Sequence, residues 1–159
     1  MQPVTDFHAH AFPDFLYQKA MAELTANAAE YRPFHDGSLA GLRAEMNRAG
    51  VGRAVVANIA TRPGNAARIL DWSLQIRSDD IHPLGSVYPG DPAAPDEIAA
   101  FAAAGFKGIK LHPMYQNFTV DDPAVYPVYE HCARHGLFIL FHAGFDVAFP
   151  GNVQAAPAR

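Results

Sequence analysis

The sequence predicts an α/β fold in which strands and helices alternate, and three observations predict it. Short apolar, β-branched segments recur along the chain. Amphipathic segments at helical spacing separate them. Gly, Pro or a capping Ser punctuates most of the boundaries. Repeated βα units with buried strands imply a parallel sheet with helices on its faces.

Residues 4–8 read as a first strand, residues 15–29 as an Ala-rich helix, and residues 31–37 as a Pro- and Gly-containing loop. Ser38 suits the N-cap of a helix over 39–49, with Leu39, Leu42 and Met46 at helical spacing and Gly50 to end it. Residues 51–59 hold the buried-strand run Ala54-Val55-Val56-Ala57. Residues 65–77 form a helix with Ile69, Trp72, Leu74 and Ile76 mostly on one side. Residues 84–88 read as a third strand, ended by Pro89-Gly90-Asp91-Pro92. A short helix over 96–104 is closed by Gly105, and 106–111 make a fourth strand. A helix over 123–135 is stopped by Gly136, and 137–142 make a fifth strand. Residues 150–152 read as a loop, and 155–159 have the composition of a helix start.

No Gly-x-Gly-x-x-Gly follows the first strand and no Walker-type loop occurs, so a nucleotide-binding open sheet loses its main support. The other solution, a closed one, is the (β/α)8 barrel of TIM type, with eight strands and typically ~250 residues. The expectation is therefore an incomplete barrel: about five βα units in one partial domain over residues 1–159, the C-terminal strands lying outside it. An open sheet whose edges a partner covers is the alternative.

The chain has 159 residues, 50% hydrophobic and 18% charged, with a formal net charge of −4. No basic run appears, which argues against a nucleic-acid partner. No apolar run approaches the ~20 residues that span a bilayer, and the polar N-terminus does not read as a leader. A soluble, cytoplasmic protein with a small-molecule substrate is the expectation, and a homo-oligomer is compatible with it. The single cysteine, Cys132, sits in a helical pattern and reads as a packing residue.

The chemistry concentrates at strand ends. Side chains alternate along a strand, so Asp6, His8 and His10 share a face while Phe7 faces the helices. In a barrel that face is the interior, and active sites collect at the C-terminal rim. Two imidazoles one pleat apart can reach one ion at ~2.0–2.1 Å from nitrogen. On the fifth strand Phe138, Leu140 and His142 share a face, with His142 at its end. On the fourth, Lys110 and His112 do the same. His8, His10 and His142 are the candidate ligands of a divalent metal, with zinc the leading expectation. His112 and Lys110 are the candidate catalytic residues. His112 is suited to contact substrate, donate a proton or brace its loop. Lys110 is suited to pair with a carboxylate such as Asp6, contact an anionic substrate group, or bridge two metals when carboxylated. His131 and His135, four apart in the last turns of a helix, read as surface residues, while His35 in a loop and His82 at the bottom of a strand read as structural, away from the chemistry.

The segments Asp6-Phe7-His8-Ala9-His10, Gly105-Phe106-Lys107-Gly108-Ile109-Lys110-Leu111-His112-Pro113 and Leu140-Phe141-His142-Ala143-Gly144, in this order, resemble the amidohydrolase superfamily. The branch they look most like is that of metal-dependent hydrolases and decarboxylases of the aminocarboxymuconate semialdehyde decarboxylase type. The resemblance implies a distorted (β/α)8 barrel in which His8, His10 and His142 bind a catalytic metal. It implies hydrolysis of an amide, ester or lactone by a metal-activated water. Decarboxylation at the same site, a phosphoesterase-type barrel, and an inactive or partner-dependent fragment are the alternatives. The family's sixth-strand His and eighth-strand Asp have no counterpart between Met1 and Arg159.

Overall fold

The computed structural model describes residues 4–28, 32–149, 151 and 154. The expected helix start at 155–159 lies outside the described residues, as do parts of the loops at 31–37 and 150–152. The elements run β1 (Val4–Ala9), α1 (Tyr17–Asn27), α2 (Leu39–Ala49), β2 (Val51–Val56), α3 (Ala66–Ile76), β3 (Ile81–Pro83), α4 (Ala94–Ala103), β4 (Gly108–Leu111), α5 (Pro113–Gln116), α6 (Tyr126–Arg134) and β5 (Phe138–Phe141). A 3₁₀ turn over Pro123–Val125 precedes α6. The chain divides into two compact units, residues 1–58 with 76–83, and residues 59–75 with 84–159.

The first unit carries a parallel sheet in the order β1-β2-β3. Its helix α2 forms as its caps dictate. Ser38 Oγ accepts from the Gly41 N–H at 2.9 Å, and Gly50 closes the helix at φ 68°. Leu42 and Met46, one helical turn apart, are its buried residues. The β1–β2 register pairs Asp6 with Ala54 and Ala9 with Val56, so three steps on β1 oppose two on β2. That irregularity falls on Phe7 and His8. The His8 N–H turns to the Asp6 carboxylate, 2.9 Å away. Bulges of this kind re-aim a side chain beside a site. Phe7, expected against helices, is 52% exposed within this irregular stretch.

Asp80 supplies a second local anchor. Its carboxylate takes two hydrogen bonds from the Arg43 guanidinium, at 2.8 and 3.2 Å, and one from the Ser78 hydroxyl at 2.7 Å. Its carbonyl accepts the Ala54 N–H at 2.8 Å, at the start of the β2–β3 pairing. Arg43 first, then Ser78, hold the Asp80 carboxyl at about 2, below its usual 3.8. A depressed carboxylate contributes stability above its unfolded pKa, and that contribution is lost as pH falls from about 4 towards 2. Both side chains are more than a third exposed, so solvent screens the effect. The stability difference between wild type and Asp80→Asn is expected to shrink over that window in urea titrations. A constant difference from pH 5 to pH 2 would refute the assignment.

The second unit is built on β4 and β5, paired parallel from Gly108↔Phe138 to Leu111↔Phe141. All four β4 residues are buried. Ile98 and Phe101 from α4, Val128 and Cys132 from α6, and Ile109 and Leu111 from β4 form its core with Val87, Phe106 and Leu137. Cys132 is therefore a packing residue, and burial pushes its thiol up to about 11.

The structure moves the expected third strand. β3 ends at Pro83, which has no N–H to continue a ladder. The 84–88 segment is no named strand and pairs with β4 through an isolated parallel bridge, Gly85 with Ile109. There the Gly85 N–H donates to Gly108 O at 3.0 Å and the Lys110 N–H donates to Gly85 O at 2.8 Å. A β-carbon on Gly85 would lie 2.7 Å from both Ile109 Cδ1 and the Phe101 ring. Gly85→Ala is expected to cost about 1–3 kcal/mol through overpacking, read as a lower urea midpoint. Leu74 also departs from expectation. It faces solvent while Ser73 and Ile76 are buried, because residue 74 lies off the 69–73–76 stripe of α3. The short helix α5 is not foreshadowed in the periodicity.

Candidate metal and active site

Each candidate residue sits at or just beyond the C-terminal end of a strand. In the first unit, His8 lies on β1 and His10 one residue past it. Their ring centroids are 5.0 Å apart with planes tilted by 55°, and both residues are exposed. The structure thus brings this pair side by side on one face, as the i, i+2 spacing predicts. Asp6, on the same strand, accepts from the His8 backbone.

In the second unit, β4 and β5 deliver His112 and His142 together. The ladder runs one step past the strands, with the His142 N–H donating to Leu111 O at 3.0 Å. The two imidazoles stack, 4.1 Å between centroids and 14° between planes. His112 is buried and multiply restrained. Its Nδ1 accepts a long hydrogen bond from the Tyr115 N–H at 3.5 Å, which caps α5, and Pro113 sits at the first helical position. A proton on Nε2 follows from an accepting Nδ1, and Nε2 lies 3.1 Å from Asp146 Oδ2. The Tyr115 ring meets His112 edge-on at 4.6 Å. Burial first, and the Asp146 charge second, raise the Tyr115 hydroxyl above its usual range.

Gln116 ties this region together. Its Nε2 donates to Ala60 O and Val87 O, both at 2.8 Å, and its Oε1 accepts the His112 N–H at 2.8 Å. Ser86 works alongside, donating to Lys110 O at 2.8 Å and accepting the Ala60 N–H at 2.9 Å. Lys110 itself is fully buried on β4, and desolvation lowers its ammonium to about 8.

His112, His142 and Asp146 offer one ligand atom each, all within 4.8 Å of one another. His142 Nε2 is buried and has no hydrogen-bond partner. An orphaned imidazole nitrogen beside a carboxylate fits a divalent ion, since imidazole and carboxylate are both ligands such ions take. Asp146 escaped the sequence reading because it lies in the loop after β5, where no periodicity marks it. His131 is half-buried and His135 exposed, at the end of α6. Among the described residues no helix is long and apolar enough to cross a membrane.

Comparison with known proteins follows the same line. No curated protein matches the sequence. Among solved structures, a 5-carboxyvanillate decarboxylase from Novosphingobium aromaticivorans, complexed with manganese and a nitrobenzoic acid, is similar at 19% identity and TM-score 0.68. It covers 89% of this chain, and this chain covers 50% of it. An uncharacterized TIM-barrel protein from Bordetella bronchiseptica is similar at 20% identity and TM-score 0.66, over 94% of this chain and 58% of the other. A probable 2-pyrone-4,6-dicarboxylic acid hydrolase from Acinetobacter baumannii, with citric acid bound, gives 15% identity and TM-score 0.57, over 89% and 50%. The chain spans about half the length of these proteins, and the fold it shares with them is part of a TIM-type α/β barrel. An amidohydrolase family model matches residues 5–158, nearly the whole sequence, so the chain belongs to the amidohydrolase family.

Proposed function

We propose that the chain carries the metal-binding part of a hydrolase that acts on a carbonyl-centred bond, an amide, ester or lactone, of a small molecule. The observation that supports this most is the orphaned His142 Nε2 beside Asp146, in a chain of the amidohydrolase family. His8, His10 and His142 are the proposed metal ligands, an assignment that rests on their sequence positions and the family pattern. Zinc suits this nitrogen-rich donor set, and manganese is the rival that the 5-carboxyvanillate decarboxylase brings. A divalent ion held there would supply Lewis acidity towards a substrate carbonyl and lower the pKa of water.

The chain's own residues do the rest. His112, its Nε2–H held by Asp146, is the proposed acid–base or substrate-orienting group. Lys110, desolvated on β4, is the proposed second catalytic residue. Its amine changes charge near pH 8, so it presents positive charge below that pH and a neutral amine above it. Asp146 holds the tautomer of His112, and Gln116 holds its backbone.

Decarboxylation is the second reading, favoured by the fold shared with the 5-carboxyvanillate decarboxylase. Product analysis separates the two. Metal-reconstituted protein is offered lactones, esters, amides and aromatic carboxylates, while acid release and carbon dioxide are followed. Metal-dependent acid release without carbon dioxide supports hydrolysis. Carbon dioxide as the only metal-dependent product overturns it in favour of decarboxylation. A cytoplasmic setting and a small-molecule partner remain part of the proposal.

A further inference from the structure

We infer that Asp146 is itself a ligand to the ion that His142 holds, with His112 as the hydrogen-bond donor that fixes its carboxylate. The inference rests on the proposal that His142 binds metal.

The geometry distinguishes the two contacts that Asp146 Oδ2 makes. It lies 3.1 Å from His112 Nε2, within reach of a direct hydrogen bond. It lies 3.9 Å from His142 Nε2, too far for one. Two donors that each sit ~2.0–2.2 Å from one ion are separated by about 3–4 Å. The His142–Asp146 spacing is therefore that of two ligands across a shared cation. The His112–Asp146 spacing is that of a ligating carboxylate braced from outside, the usual arrangement around metal ligands. The near-parallel stack of the imidazoles supports this division of labour. Rings stacked at 14° present their nitrogens side by side rather than converging on one point, so both do not reach a single ion well.

The carboxylate is also aimed. Asp146 Oδ1 accepts the Ala148 N–H at 2.8 Å, closing a tight turn, which leaves Oδ2 for the imidazoles. Its side chain is 11% exposed, so its negative charge is largely withdrawn from water. A largely buried carboxylate whose Oδ2 faces two imidazole nitrogens, one of them unpartnered, is satisfied by a cation between it and His142.

The test measures metal, not turnover. Zn2+ affinity is determined for the whole chain by competition with a chromogenic chelator, and the visible spectrum is recorded with Co2+ in place of zinc. Asp146→Asn keeps the volume and the Ala148 turn. It is expected to weaken Zn2+ binding by at least about tenfold and to change the Co2+ spectrum. Asp146→Glu keeps a carboxylate and is expected to recover part of the loss, which controls for misfolding along with circular dichroism of both variants. Unchanged affinity in Asp146→Asn overturns the inference. So does weakened affinity with an unchanged Co2+ spectrum, because Asp146 would then act from outside the coordination shell. His142→Ala separates the underlying assignment. Wild-type affinity in that variant removes His142 as a ligand, whereas loss there with full binding in Asp146→Asn removes Asp146 alone.

Discussion

His8→Ala and His142→Ala chains are each expected to lose stoichiometric metal, with affinity falling by at least about 100-fold. The magnitude follows from the chemistry of the shell. Changing a group that merely orients a ligand costs roughly 10–100-fold in affinity, and deleting the ligand itself removes a bond as well. Alanine leaves no donor atom in place of either imidazole. Protons compete with metal for imidazole nitrogen, so wild-type affinity is also expected to decline on acidification. Elemental analysis after gel filtration checks the result and identifies the ion as zinc or manganese. Full metal content in both variants would sink the assignment, whichever ion is found.

Replacement of Gln116 by Leu is expected to destabilise the chain by about 3 kcal/mol or more, although the two side chains are similar in size. Gln116 is 2% exposed and satisfies three backbone groups. Leucine leaves Ala60 O, Val87 O and the His112 N–H without that partner. Each buried group stripped in this way costs about 1–3 kcal/mol, with the sum reduced by local relaxation. Gln116→Glu sharpens the test. An ionised carboxylate still accepts from the His112 N–H but offers nothing to the two carbonyl oxygens. Urea denaturation with an unchanged m-value reads the effect as a shift in midpoint. A loss under about 1 kcal/mol in Gln116→Leu would show that these hydrogen bonds are replaceable, contrary to the 1–3 kcal/mol each was assigned. The consequence for the site is direct, because the same amide fixes the backbone of His112.

Much of the fold is legible in local patterns, and the reason differs by element. Helix α2 is foretold by Ser38 and Gly50, whose roles depend only on neighbouring backbone. β4 and β5 are foretold by short apolar runs, the pattern that parallel strands of α/β folds take, although only β4 is buried throughout and β5 is partly exposed. The placement of β3 is not. Residues 84–88 are as apolar as a strand, yet the pairing stops at Pro83 and resumes only at Gly85. Which residues find a partner depends on the neighbouring strand, and no periodicity encodes that. The helix over 123–135 similarly begins as a 3₁₀ turn at Pro123.

The sequence by itself determined the alternation of strands and helices, the pairing of His8 with His10 on one face, and the family to which the chain belongs, because these rest on spacing along the chain and on short ordered motifs. Only the tertiary structure decided that His112 stacks on His142, that Asp146 is turned towards both, and that Gln116 binds the ends of three segments. Those residues lie up to 56 positions apart. Their meeting is set by the register of β4 on β5 and by the loops that follow, and such long-range geometry leaves no local signature in the order of residues.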